Sequence, residues 1–124
     1  MTPETLAALR GSIEKWDRIA AQEDVDRGTD NCPLCSIFWG RRGDRGNHCE
    51  GCPVFIATGA ISCVRTPYIN FCHMTSSNGY GYAPKQQQKR RGTRGYYAST
   101  PRQIAAARAM ADFLRSLLPD GEQP

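Results

Sequence analysis

The sequence predicts a small, mostly α-helical domain with little or no sheet, and three observations carry that prediction. Amphipathic helical patterns stand near the two ends of the 124-residue chain. Between them lies a stretch without periodicity that holds all six cysteines, at positions 32, 35, 49, 52, 63 and 72. Leu, Ile, Val and Phe together number only 20 of 124, under the roughly 20% below which strongly charged chains stay disordered. A net charge of +4 falls short of that regime, but so thin a core calls for a staple.

The first element is a helix over residues 2–22. Leu6, Leu9, Ile13, Trp16 and Ala20 recur at steps of 3, 4, 3 and 4, and Ile19 widens their face. Thr2 suits the cap, Pro3 the first helical position and Glu4 the positive end of the dipole. Gly11 costs such a helix about 1 kcal/mol against Ala, so it marks either tolerated exposure or close packing. Glu4, Arg10, Glu14, Lys15 and Asp17 break any apolar run, which argues against a secretory signal. No segment approaches the ~18 apolar residues of a membrane span. A cytoplasmic location, with no membrane contact, is the resulting expectation.

Residues 23–31 form a polar, acidic connector. Residues 32–73 read as an irregular Cys-rich knuckle, in which 53–58 can make one helical turn stopped by Gly59. Residues 74–100 contain no acidic residue and five basic ones, Lys85, Lys89, Arg90, Arg91 and Arg94, and read as a flexible basic loop. The last element is a helix over 101–118. Thr100, Pro101 and Gln103 make a capping-box start. Ile104, Ala107, Ala111, Leu114 and Leu118 form its stripe, beside Met110, Phe113 and Leu117, and Pro119 stops it. The most economical arrangement is a single domain in which the two terminal stripes bury each other and make up the whole hydrophobic core.

The cysteines carry the chemistry. Cys32-Pro-Leu-Cys35 and Cys49-Glu-Gly-Cys52 are separated by 13 residues. A two-residue gap lets one tight turn aim both sulfurs at one ion. Four thiolates close a tetrahedral structural Zn²⁺ site. In an intracellular chain such pairs favour metal over disulfides. Binding then contributes roughly 10–16 kcal/mol of folding free energy. Cys63 is a fifth candidate, so the ligands are four of Cys32, Cys35, Cys49, Cys52 and Cys63. An iron–sulfur cluster is the rival cofactor, since Pro53 follows Cys52 as proline follows a ligand cysteine in some ferredoxins. Against it, no tightly spaced Cys-x2-Cys-x2-Cys run is present. A second site from Cys63, Cys72 and His73 lacks a clear fourth ligand. Cys72 reads as a small buried hydrophobe, and His48 and His73 as solvated loop residues. A thioredoxin-like role for Cys32 and Cys35 lacks the strand that should precede it.

The order Ser12-Ile13-x-x-Trp16, Cys32-x-Leu34-Cys35, Cys49-x-Gly51-Cys52-Pro53-Val54, Cys63-x-x-Thr66-Pro67-Tyr68 and Phe113-Leu114-x-x-Leu117-Leu118-Pro119 resembles a group of small Cys-rich proteins encoded by bacteriophages and prophages. The resemblance spans about two thirds of the chain and leaves out the basic stretch. It implies a phage or integrated-element origin and a bacterial cell, and adds Cys63 to the core set. It implies no particular activity.

The function class these features favour is non-catalytic: an adaptor or regulator that uses structural zinc and binds a protein or other macromolecule of host or phage. The first alternative is a nucleic-acid-binding zinc protein. Arg41 and Arg42 in the inter-pair loop, with Lys89, Arg90 and Arg91, would meet phosphates, and Tyr80, Tyr82, Tyr96 and Tyr97 would stack on bases. The second is an iron–sulfur or thiol redox protein. Support for an enzyme is thin, because an all-thiolate zinc has no open position for water.

Overall fold

The computed structural model describes residues 1–27, 31–38, 51–60, 63, 65–75, 98 and 100–122, with the helical backbone alone described for 72–75. Among the described residues five helices follow one another: α1 Pro3–Ala20, α2 Pro33–Phe38, α3 Pro53–Thr58, α4 Tyr68–Thr75 and α5 Pro101–Arg115. A 3-10 turn, Asp120–Glu122, follows α5. Among the described residues there is no strand element.

Helix α1 begins as its sequence dictates. The Thr2 side chain accepts from the Thr5 amide at 3.0 Å, with Pro3 in the first turn. Leu9, Ile13, Trp16, Ile19 and Ala20 are buried, as the stripe requires. The buried face is wider than the apolar stripe, however, and takes in Ser12 and Lys15. The helix stops at Ala20 rather than running to 22. Gln22 adopts φ 64°, its amide donates to the Ile19 carbonyl at 3.0 Å, and the Glu23 amide donates to the Arg18 carbonyl at 2.8 Å. That is a Schellman stop with glutamine in the glycine position.

Helix α5 carries the complete capping box. The Gln103 amide donates to Thr100 Oγ1 at 3.2 Å, and the Thr100 amide donates to Gln103 Oε1 at 2.9 Å. Ala107, Met110, Ala111 and Leu114 are buried along it. The α-helix ends at Arg115, and Leu117 and Leu118 continue as turns that bond back to Leu114 and Arg115.

Helix α1 packs along α5, as the two stripes predict. An ion pair between Arg115 and Asp17 ties the helices at their solvent edge. Leu9, Ile19 and Leu114 are sealed from solvent, each contributing roughly 1.5–3 kcal/mol of burial.

Two expectations are corrected here. The terminal pair is not the whole core: Leu34 of α2, Val54 of α3, Phe71 of α4 and Ala98 belong to the same cluster. Nor are the described parts of the Cys-rich region irregular, since α2 and α3 lie within 32–73 and α4 begins there and runs on to Thr75. Helix α3 does occupy 53–58 with Gly59 at φ 73° as its stop. The other two are short. Proline supplies the first helical position of α2 directly after Cys32, and Thr66-Pro67 leads into α4. Helix α2 packs on α1 and α4 on α5. The α1–α2 contact explains Gly11, because a Cβ there would stand 3.2 Å from Pro33 Cγ. Of the basic loop, residues 74 and 75 belong to α4 and Ala98 is buried, while 76–97 lie outside the described residues.

Candidate functional site

The short helices exist in the fold as carriers of cysteines. Cys32 immediately precedes α2 and Cys35 sits in its first turn. Cys52 is the N-cap of α3, and its side chain makes no capping bond. Gly51, before it, adopts φ 88° and leaves only 3.1 Å between a hypothetical Cβ and Phe38 Cε1. Glycine is therefore required there twice over, by backbone conformation and by the ring of α2. Cys63 precedes α4 and itself adopts φ 58°. A left-handed conformation at a non-glycine residue costs on the order of 1–2 kcal/mol, which the surroundings must impose. Thr66 does so: its hydroxyl donates to the Cys63 carbonyl at 2.7 Å and accepts from the Tyr68 amide at 3.1 Å. The Cys-x-x-Thr-Pro-Tyr sequence is thus one unit, in which a buried threonine pins a strained cysteine to the start of a helix.

Cys32, Cys35, Cys52 and Cys63 line one cavity of about 220 Å³. All four are thiols, not disulfides. Ser12, Lys15 and Trp16 of α1 form another wall, and Met110 and Leu114 of α5 close it from the core side. Among the described residues, no three His, Cys, Asp or Glu side chains form a group that would hold a metal ion.

Electrostatics differ between the two cysteines of the first pair. A hydrogen bond from the Cys35 side chain lowers the Cys32 pKa to about 6, against the opposing effect of burial. The Lys15 charge and the Cys35 and Leu34 amides lower it further, and the Cys35 amide stands 3.2 Å from Cys32 Sγ. The Cys35 thiol is pushed up by donating that bond, by burial, and by the neighbouring Cys32 and Cys63 charges. A thiolate held by amide donors in a two-residue Cys-x2-Cys turn is the donor state that metals bind.

A polar network that the sequence reading did not find stands beside the cysteines. Lys15 Nζ lies 2.8 Å from Asp26 Oδ1, with both side chains buried. The Tyr68 hydroxyl donates to Asp26 Oδ2 at 2.9 Å. The Lys15 ammonium also sits 5.2 Å from the centroid of Trp16, and Trp16 meets the edges of Tyr68 and Phe71. Asp26 belongs to the polar, acidic connector, where both it and Val25 are buried. The Asn31 side chain holds the connector in shape, donating to the Val25 carbonyl at 2.7 Å and accepting from the Arg27 amide at 2.9 Å.

Of the predicted ligands, Cys32, Cys35, Cys52 and Cys63 line the same cavity, and Cys49 lies outside the described residues. So do His48, Arg41, Arg42, Lys89, Arg90 and Arg91, while Cys72 and His73 are placed on α4 by backbone alone. Ser12 and Trp16, quoted for the phage resemblance, both line the cavity. Comparison with protein-family models, with curated proteins and with solved structures finds no match to this chain.

Proposed function

We propose that this chain is a non-catalytic protein in which cysteine thiolates hold a metal centre that staples three short helices to a two-helix scaffold. The observation that carries this reading is the meeting of Cys32, Cys35, Cys52 and Cys63, from three separate chain segments, on one cavity. Zinc is the occupant the Cys-x2-Cys spacing suggests first, with Cys49 able to complete or share the set. The stapled scaffold serves as an adaptor or regulator, encoded by a phage or prophage, that docks to a host or phage macromolecule.

Metal content per chain tests the reading. Purified full-length protein should carry one centre per chain, and Cys35→Ser should lose both the metal and the cooperative fold. A folded, metal-free Cys35→Ser variant overturns it.

A further inference from the structure

We propose that the occupant of the cavity lined by Cys32, Cys35, Cys52 and Cys63 is an iron–sulfur cluster rather than a single ion, with the Ser12 hydroxyl as a hydrogen-bond donor to it. The proposal rests on the thiolate metal centre argued above and specifies what that centre is.

Size is the first argument. Four sulfurs at about 2.3 Å from one zinc ion enclose that ion and nothing more. The cavity here measures about 220 Å³, whereas an apolar cavity of roughly 150 Å³ already takes up benzene. Four cysteines stand among the sixteen residues that line this space, which leaves room for a compact inorganic core of iron and sulfide held by those thiolates.

The second argument is Ser12. It is 3% exposed, it lines the cavity, and its Oγ has no hydrogen-bond partner among the described residues. An orphaned buried hydroxyl costs about 1–3 kcal/mol, and alanine at the same helical position would avoid that cost. A hydroxyl facing cluster sulfur has an acceptor. Hydrogen bonds to the sulfurs are one of the means by which a protein sets a cluster's potential. The lining around it is otherwise mostly aromatic and aliphatic, with Trp16, Phe38, Phe55 and Leu114 among its walls. Such walls shield a cluster from water, and the Asp26 carboxylate in the lining is already bonded to Lys15 and Tyr68.

Lys15 and Asp26 also border the cavity. They are bonded to each other at 2.8 Å, and Asp26 also accepts from Tyr68, so both are engaged within the wall and neither is offered as a ligand.

The test is anaerobic loading of the full-length, metal-stripped chain with ferrous iron and sulfide, beside a parallel loading with Zn²⁺ alone. The expected result is iron and acid-labile sulfide in equal amounts, about two or four of each per chain, with a brown colour absorbing near roughly 400 nm. Ser12→Ala should retain that iron and sulfide but show a lower midpoint potential, and Ser12→Thr, which keeps the hydroxyl, should restore it. One zinc per chain with no retention of sulfide overturns the cluster while leaving the thiolate metal centre standing. Retention of neither metal overturns both. A loaded Ser12→Ala protein with an unaltered potential overturns the role given to Ser12.

Discussion

Lys15 and Asp26, eleven residues apart, meet at 2.8 Å inside the protein, where neither side chain is more than 4% exposed. The pair joins the end of α1 to the connector and, through Tyr68, to α4. It is the structural link between the terminal-helix core and the cysteine cavity.

Removing one partner leaves the other charge buried and uncompensated. Asp26→Ala or Lys15→Ala should therefore destabilise by about 3–5 kcal/mol. Tyr68→Phe removes one hydrogen bond to a charged acceptor and should cost about 1.5–3 kcal/mol. Urea unfolding of the three variants checks the order. A Lys15→Met, Asp26→Leu double variant should recover much of the loss, because it leaves no unpaired charge.

Thr66→Val keeps the shape of the side chain but deletes the hydroxyl between the Cys63 carbonyl and the Tyr68 amide. We expect a loss of about 1–3 kcal/mol, together with weaker retention of metal in a chelator competition, since Cys63 is freed from its left-handed backbone. Thr66→Ser should behave as wild type in both measurements.

Gly11 faces Pro33 across the α1–α2 contact. Gly11→Ala gains about 1 kcal/mol of helix propensity, offset by a methyl group 3.2 Å from the proline ring, so its melting temperature should barely change. Gly11→Leu would press a larger side chain against the Pro33 ring and should lose about 1–3 kcal/mol.

At α5 the capping box gives a separate, local prediction. Thr100→Ala should cost about 1 kcal/mol and Thr100→Gly only a few tenths. Neither should change metal content, because the cap is made within the first turn of α5.

Acid should strip the metal. Thiolates must be deprotonated to bind, so protons compete with the ion and affinity falls as pH drops. If the centre is the staple, loss of helical circular dichroism should follow metal release over the same pH range. Helicity that persists after the metal has left would show that the five-helix scaffold stands without it.

The parts of this protein legible in the sequence are those governed by local chemistry. Periodicity marked α1 and α5. Thr2, Thr100 and Gln103 marked their starts, and Gly59 the end of α3. Cys-x2-Cys spacing marked the turn that brings Cys35 against Cys32. Each signal lies within a few residues of the structure it specifies.

Tertiary structure decided what depends on distant neighbours. Lys15 breaks the apolar run of α1 in the sequence, and Ser12 is a second polar residue on that helix. One is buried because Asp26 meets it, and the other because it faces the cysteine cavity. Helices α2 and α4 have too few residues to be stable alone. They form where Pro33 meets Gly11 and where Phe71 enters the core. Sequence spacing could nominate the cysteines. Only the packing of α1, α5 and three short helices determined that Cys32, Cys35, Cys52 and Cys63 share one enclosure, because that enclosure is made of surfaces the chain brings together from far apart.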